Sequence, residues 1–138
     1  MKKAYVLDAC ALLAFLNNEE GADVVEGLLR AATGKKCSVF MARLNLLEVY
    51  YGLRREAGEA VADKALELMG RLPIKLVDGM PEATFREAGR LKALYRISLA
   101  DAVAVAEARV RKAELVTADR HELESVLVAE KIAPCWIR

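Results

Sequence analysis

The chain is 138 residues long, 55% hydrophobic and 30% charged, with 21 basic against 20 acidic side chains and a formal net charge of +1. Those proportions suit one folded domain over residues 1–138 and exclude a disordered segment; the charge balance leaves no global basic field, so a nucleic-acid partner needs a local patch. Three cysteines (Cys10, Cys37, Cys135) without a Cys-x-x-Cys pair speak against a disulfide framework or a zinc site and for a reducing compartment, the cytoplasm, and the single histidine, His121, excludes a multi-histidine metal site within one chain.

Residues 3–8 (KAYVLD) read as a continuous apolar strand buried on both faces, with Asp8 at its end. Met1-Lys2-Lys3 before an apolar run has the outline of a secretory signal. Asp8 interrupts that run, however, and Asn17-Asn18-Glu19-Glu20 follows in place of a small-residue cleavage site. No apolar run reaches the ~18 residues of a membrane helix. A short helix is predicted over 11–17 and another over 20–32, with Val24, Leu28 and Leu29 at helical spacing. "TGKK" breaks the chain, and 37–42 (CSVFMA) reads as a second strand.

The spacing predicts helices over 45–57 and 59–70, then a third strand over 74–78 (IKLVD). Pro81 opens a helix over 82–95, and a further helix spans 99–112. A fourth strand falls at 114–118 (ELVTA), a short helix at 120–127 and an edge strand between Ile132 and Ile137, where Pro134 suits an edge. Strands separated by helices imply a mainly parallel sheet of four to five strands between two helical layers, a three-layer α/β/α domain. Ligands bind such sheets beyond the carboxyl ends of the strands.

Four acids belong to that rim. Asp8 ends the first strand and Asp119, in "TAD", follows the fourth. Glu48, in "NLLEVYYG", is expected in the first turn of the helix after the second strand, and Asp101, in "SLADA", in the first turn of the helix leading to the fourth. Each also reads as a helix cap: Asp8 before a helix starting near Ala9, Asn45-x-x-Glu48, Ser98-x-x-Asp101 and Asp119-x-x-Glu122. A cap contributes ~1 kcal/mol. Two carboxylates 4 Å apart repel by about 4 kcal/mol at an effective dielectric of 20. Converging acids therefore persist only if some are protonated or a cation lies among them. Oxygen-only ligands select Mg²⁺ or Mn²⁺, ions that polarise a phosphoryl oxygen and activate water.

The strand ending in Asp8, the Asn45/Glu48 pair, "SLADA" around Asp101 and "TAD" at Asp119 resemble PIN-domain ribonucleases, nearest the VapC-like toxins of toxin–antitoxin systems. The resemblance implies the PIN α/β/α fold and a Mg²⁺- or Mn²⁺-dependent endoribonuclease with its acidic roles on Asp8, Glu48, Asp101 and Asp119. It also implies a homodimer and a cognate antitoxin that blocks the site. Cys10 departs from it, standing where the family commonly carries Ser, Thr or Asn. Asn45 and Thr117 are candidates to orient the acids or a water, and Arg43 and Arg120, each near a proposed ligand, are candidate RNA contacts; both pairs have plain structural alternatives. Tyr50, Tyr51 and Leu53 with Val24, Val25, Leu28 and Leu29 read as core or as an apolar groove for a partner helix. His121 reads as a surface residue at a helix start. Two other functions stay open, a non-catalytic PIN-like binding domain and a metal-dependent DNA nuclease.

Overall fold

The computed structural model describes residues 2–138; Met1, part of the signal-like outline, lies outside them. Five strands form one all-parallel sheet: β1 (Lys3–Leu7), β2 (Cys37–Ala42), β3 (Lys75–Val77), β4 (Glu114–Thr117) and β5 (Pro134–Trp136), in the order β3-β2-β1-β4-β5. The helices are α1 (Ala9–Leu16), α2 (Ala22–Thr33), α3 (Arg43–Ala57), α4 (Glu59–Met69), α5 (Glu82–Leu94), α6 (Leu99–Val110) and α7 (Arg120–Glu130). The expected three-layer α/β/α architecture is therefore present, with β5 as an edge strand opened by Pro134.

The strand order places the crossovers. From β1 the chain steps outward to β2 and β3, then returns past β1 to β4 and β5. Crossovers of one hand that travel in opposite directions lay their helices on opposite faces. Accordingly α1 to α4 bury Leu12, Val25, Leu29, Leu46, Val49, Leu53, Ala62 and Met69 against one face. The other face receives Leu91 of α5, Val103 and Val105 of α6, and Leu123, Val126 and Leu127 of α7. The chain parts company with itself between the ends of β1 and β4, which creates a crevice there.

Three expectations are corrected. First, β1 is buried on both faces only at Val6 and Leu7. Lys3 is exposed and pairs with Glu114 at 2.7 Å, because the helices cover the carboxyl half of the strand. Second, α3 starts directly at Arg43 with Ala42 as its N-cap and no side-chain cap bond, so Glu48 falls in the second turn and Asn45 caps nothing. Third, Val25, Leu29 and Leu53 are core residues and cannot line a groove. The exposed large apolar side chains on α3 and α4 are instead Leu47, Tyr51, Val61, Leu66 and Leu68.

Gly21 shows how closely the elements meet beside β5. Its φ is +98°, and a Cβ there would lie 2.7 Å from the Ile137 carbonyl oxygen, so the turn before α2 presses on the chain after β5. Arg138 bonds the Glu20 carbonyl across the same seam at 2.7 Å. At the opposite end of α7, Glu130 accepts hydrogen bonds from Arg90 of α5, from Arg109 of α6 at 2.7 Å and from the Tyr95 hydroxyl at 2.6 Å. These partners bring its carboxyl down from 4.5 to about 2, with Arg90 as the largest cause.

A depressed carboxylate stabilises the fold above its unfolded pKa, and the contribution is lost as pH falls toward the folded value. Glu130→Gln is expected to lower the melting temperature at pH 7 and to flatten its decline between pH 4.5 and about 2.5. Thermal melts by circular dichroism across that range check both effects.

Candidate active site

Three helix starts and one helix interior meet at the carboxyl rim. Asp8 leaves β1 with its amide bonded to the Val116 carbonyl of β4 at 3.2 Å, and as N-cap of α1 its Oδ1 accepts from the Ala11 amide at 2.9 Å. Ser98 caps α6 by accepting from the Asp101 amide at 3.0 Å, which sets Asp101 in the first turn. Asp119 caps α7 by accepting from the Glu122 amide at 3.1 Å. Glu48 approaches from α3. The four carboxylates line one cleft of about 250 Å³ together with Ala9, Cys10 and Leu13.

Capping and clustering are therefore not competing descriptions of these acids. The caps are the means by which the fold directs them to one rim, and a helix N-terminus carries partial positive charge that offsets some of their repulsion.

The remainder of the repulsion is visible. Asp8 is 2% exposed, and burial lifts its carboxyl above the usual range; Asp119 adds to the rise, while bonds from Thr117, the Ala11 amide and Cys10 oppose it. Burial and then Asp8 raise Glu48. Asp101 is pushed up to about 6, first by burial and then by the charges of Asp8, Glu48 and Asp119. None of the ion pairs among the described residues involves any of these acids.

The donor set suits a hard divalent cation: all oxygen, anionic and without a basic partner. Yet no group of three or more His, Cys, Asp or Glu side chains is drawn together as a ready-made cage among the described residues. The acids line the walls of the cleft without closing a shell.

Supporting residues surround them. Thr117 is fully buried at the end of β4, where its Oγ1 accepts from the Asp119 amide at 3.0 Å. Asn45, also fully buried, donates from Nδ2 to the Ala100 carbonyl at 3.0 Å and thereby joins α3 to the first turn of α6. Its Oδ1 has no hydrogen-bond partner. Cys10, not among the site residues expected from sequence, donates from Sγ to both Asp8 oxygens at 3.1 and 3.3 Å and accepts from the Ala118 amide at 3.3 Å. Burial and the Asp8 charge push its thiol up to about 12, so it stays a donor. The signal for it was its position, two residues past Asp8 on the first turn of α1.

Neither of the two arginines is among the residues that line the cleft. Arg43 pairs with Asp78 at 2.9 Å. Arg120 stacks on Trp136 and donates from Nε to the Arg138 carbonyl at 3.0 Å. His121 is exposed on α7.

A parallel α/β sheet with acids gathered at its switch-point crevice defines a class of domain, and sequence comparison supplies its family. The PIN domain family model matches residues 5–126, and the chain belongs to the PIN-domain family. The resemblance drawn from the acid motifs is confirmed at that level. No curated protein matches the chain in sequence.

Solved structures resemble it in fold. VapBC2 from Rickettsia felis, bound to a DNA fragment of its promoter, aligns with a TM-score of 0.73 at 15% identity, over 96% of this chain and 97% of that chain. DNA-bound VapBC from Salmonella typhimurium aligns with a TM-score of 0.72 at 17% identity, over 100% of each chain. VapC20 from Mycobacterium tuberculosis, a toxin that cleaves the sarcin–ricin loop, aligns with a TM-score of 0.61 at 16% identity, over 80% of this chain and 85% of that chain.

A raised carboxyl pKa costs stability above the folded value and nothing below the unfolded one. Metal-free Asp101→Asn is therefore expected to melt about 5 °C or more above the parent at pH 7.5. The gap should close as pH falls from 6 toward 4, as read by thermal melts over pH 3.5–8.

Proposed function

We propose that this chain, as a single domain over residues 1–138, is a Mg²⁺- or Mn²⁺-dependent endoribonuclease and the toxin of a toxin–antitoxin pair. One observation carries the reading: four carboxylates line one crevice at the carboxyl rim, and among the described residues no basic side chain is paired to any of them. Family membership and the VapBC neighbours support it.

In this reading Asp8, Glu48, Asp101 and Asp119 hold the cation, directly or through water. When bound, the cation supplies charge neutralisation at a phosphodiester and makes a water more acidic. The protein's part is placement. The Ala11 amide and the Cys10 thiol hold Asp8, the Ser98 cap sets Asp101, and Thr117 holds the Asp119 backbone. Asp101, in the first turn of α6, lines the cleft beside Asp8 and Glu48 as one of those oxygen ligands. Arg43 and Arg120 flank the cleft in sequence and are assigned to RNA.

Two exposed apolar patches suit the expected protein partners. Leu47 and Leu66 join Arg43, Leu46 and Tyr50 around a small cleft of about 160 Å³ on α3 and α4, which we assign to an antitoxin helix. Met80, Phe85, Leu99 and Val103 line a larger hollow of about 430 Å³ on α5 and α6, which we assign to a second copy of the chain. No helix is long and apolar enough to cross a membrane among the described residues. Three free thiols suit a reducing compartment, and cytoplasmic residence is part of the reading.

Asp8→Asn is expected to keep the circular dichroism spectrum and to lose at least about 100-fold of Mn²⁺-dependent RNA cleavage, scored on labelled RNA with EDTA and single-stranded DNA controls. Cleavage at the parent rate refutes the scheme, and preference for DNA replaces it with the DNA-nuclease alternative. Phe85→Glu should halve the mass measured by light scattering; an unchanged mass removes the α5–α6 face as the dimer contact.

A further inference from the structure

We propose that Arg120 and Trp136 form a platform that takes one unstacked base of single-stranded RNA beside the acidic cleft. The proposal rests on the ribonuclease reading and adds to it a site for the base. It also gives Arg120 a stacking role in place of a phosphate contact.

Trp136 ends β5 directly opposite Thr117, the last residue of β4. Asp119 follows Thr117 by two positions, and Arg120 comes next as the first residue of α7. The platform therefore stands on the same rim as the acids. Neighbouring strands lie ~4.8 Å apart, so the end of β5 is only about 10 Å from the end of β1, which carries Asp8.

The Arg120 guanidinium carbon lies 4.5 Å from the centre of the indole. Its Nε bond to the Arg138 carbonyl at 3.0 Å restrains rotation of the guanidinium. The side chain is still 50% exposed, and its ion pair with Glu124 is long, at 3.7 Å. A planar cation is thus seated on an aromatic ring and retains access to solvent. Guanidinium planes and aromatic rings both stack on unpaired bases. Because the pair is already assembled, less side-chain freedom is lost on binding. Arg43 offers no such arrangement: it is more exposed, is paired with Asp78 at 2.9 Å and stacks on no ring among the described residues.

Trp136 is the protein's only tryptophan, so its emission reports on the platform without any mutation. The probe is a fluorescently labelled, non-cleavable 2′-O-methyl RNA hexamer, added to the full chain in EDTA, with binding followed by anisotropy and tryptophan emission together. Binding should change the emission. A hexamer set with one abasic position, moved along the strand, should contain a member that binds about 10-fold more weakly. Arg120→Ala, at an exposed position, should weaken the intact hexamer by a similar factor and remove the penalty of the abasic site. Trp136→Phe, which keeps a ring, should retain most of the affinity.

Anisotropy without an emission change overturns the platform and leaves the nuclease reading standing. So does equal binding of every abasic member, because a phosphate contact ignores the base and responds to salt. If the hexamer does not bind and the unmodified RNA is not cleaved with Mn²⁺, the ribonuclease reading falls, and the platform with it.

Discussion

The reversal of strand order at β1 governs this molecule. Once the chain has stepped from β1 to β3 and returned to β4, α1 and α7 must leave adjacent strands on opposite faces of the sheet. The gap they leave is open to solvent yet flanked by two helix N-termini. Asp8 and Asp119 are the residues at which those helices begin. A short polar side chain is favoured there in any protein, because it satisfies free amides. Here the same requirement brings acids into the gap, and α3 and α6 add Glu48 and Asp101 from the sides.

Local stability and site chemistry thus draw on the same groups in opposite senses. Each cap stabilises its helix by ~1 kcal/mol, while burial and mutual repulsion raise the carboxyl groups of Asp8, Glu48 and Asp101. The fold tolerates the second effect because two large apolar cores and the Glu130 network lie elsewhere. Acid therefore acts in two directions on one molecule: it relaxes the rim and loosens the far end of α7.

Much of this arrangement is legible in the sequence. Apolar runs bounded by breakers locate the strands; Asp8 and Asp119 stand at the ends of two of them, and Asp101 begins a helix that must run back along the sheet into β4. Glu48 was placed at the right edge but a turn too early, since β2 passes into α3 at Ala42 without a polar cap to mark the start. Val25, Leu29 and Leu53 looked surplus to one helix face. Helical spacing cannot say that they meet the sheet as well as neighbouring helices. Trp136 is not legible as a rim residue in the sequence, because its place there comes from pairing with Thr117, a register that no local pattern reveals.

The Asn45 amide has a mechanical meaning as well. One hydrogen bond to the Ala100 carbonyl pins α3 to the start of α6, within an otherwise apolar seam. Sliding one helix past the other would leave the buried Asn45 amide group unpaired. The backbones that carry Glu48 and Asp101 are thus tied to each other one turn or less from those acids, so the spacing of the two sides of the cleft is built into the packing of α3 on α6.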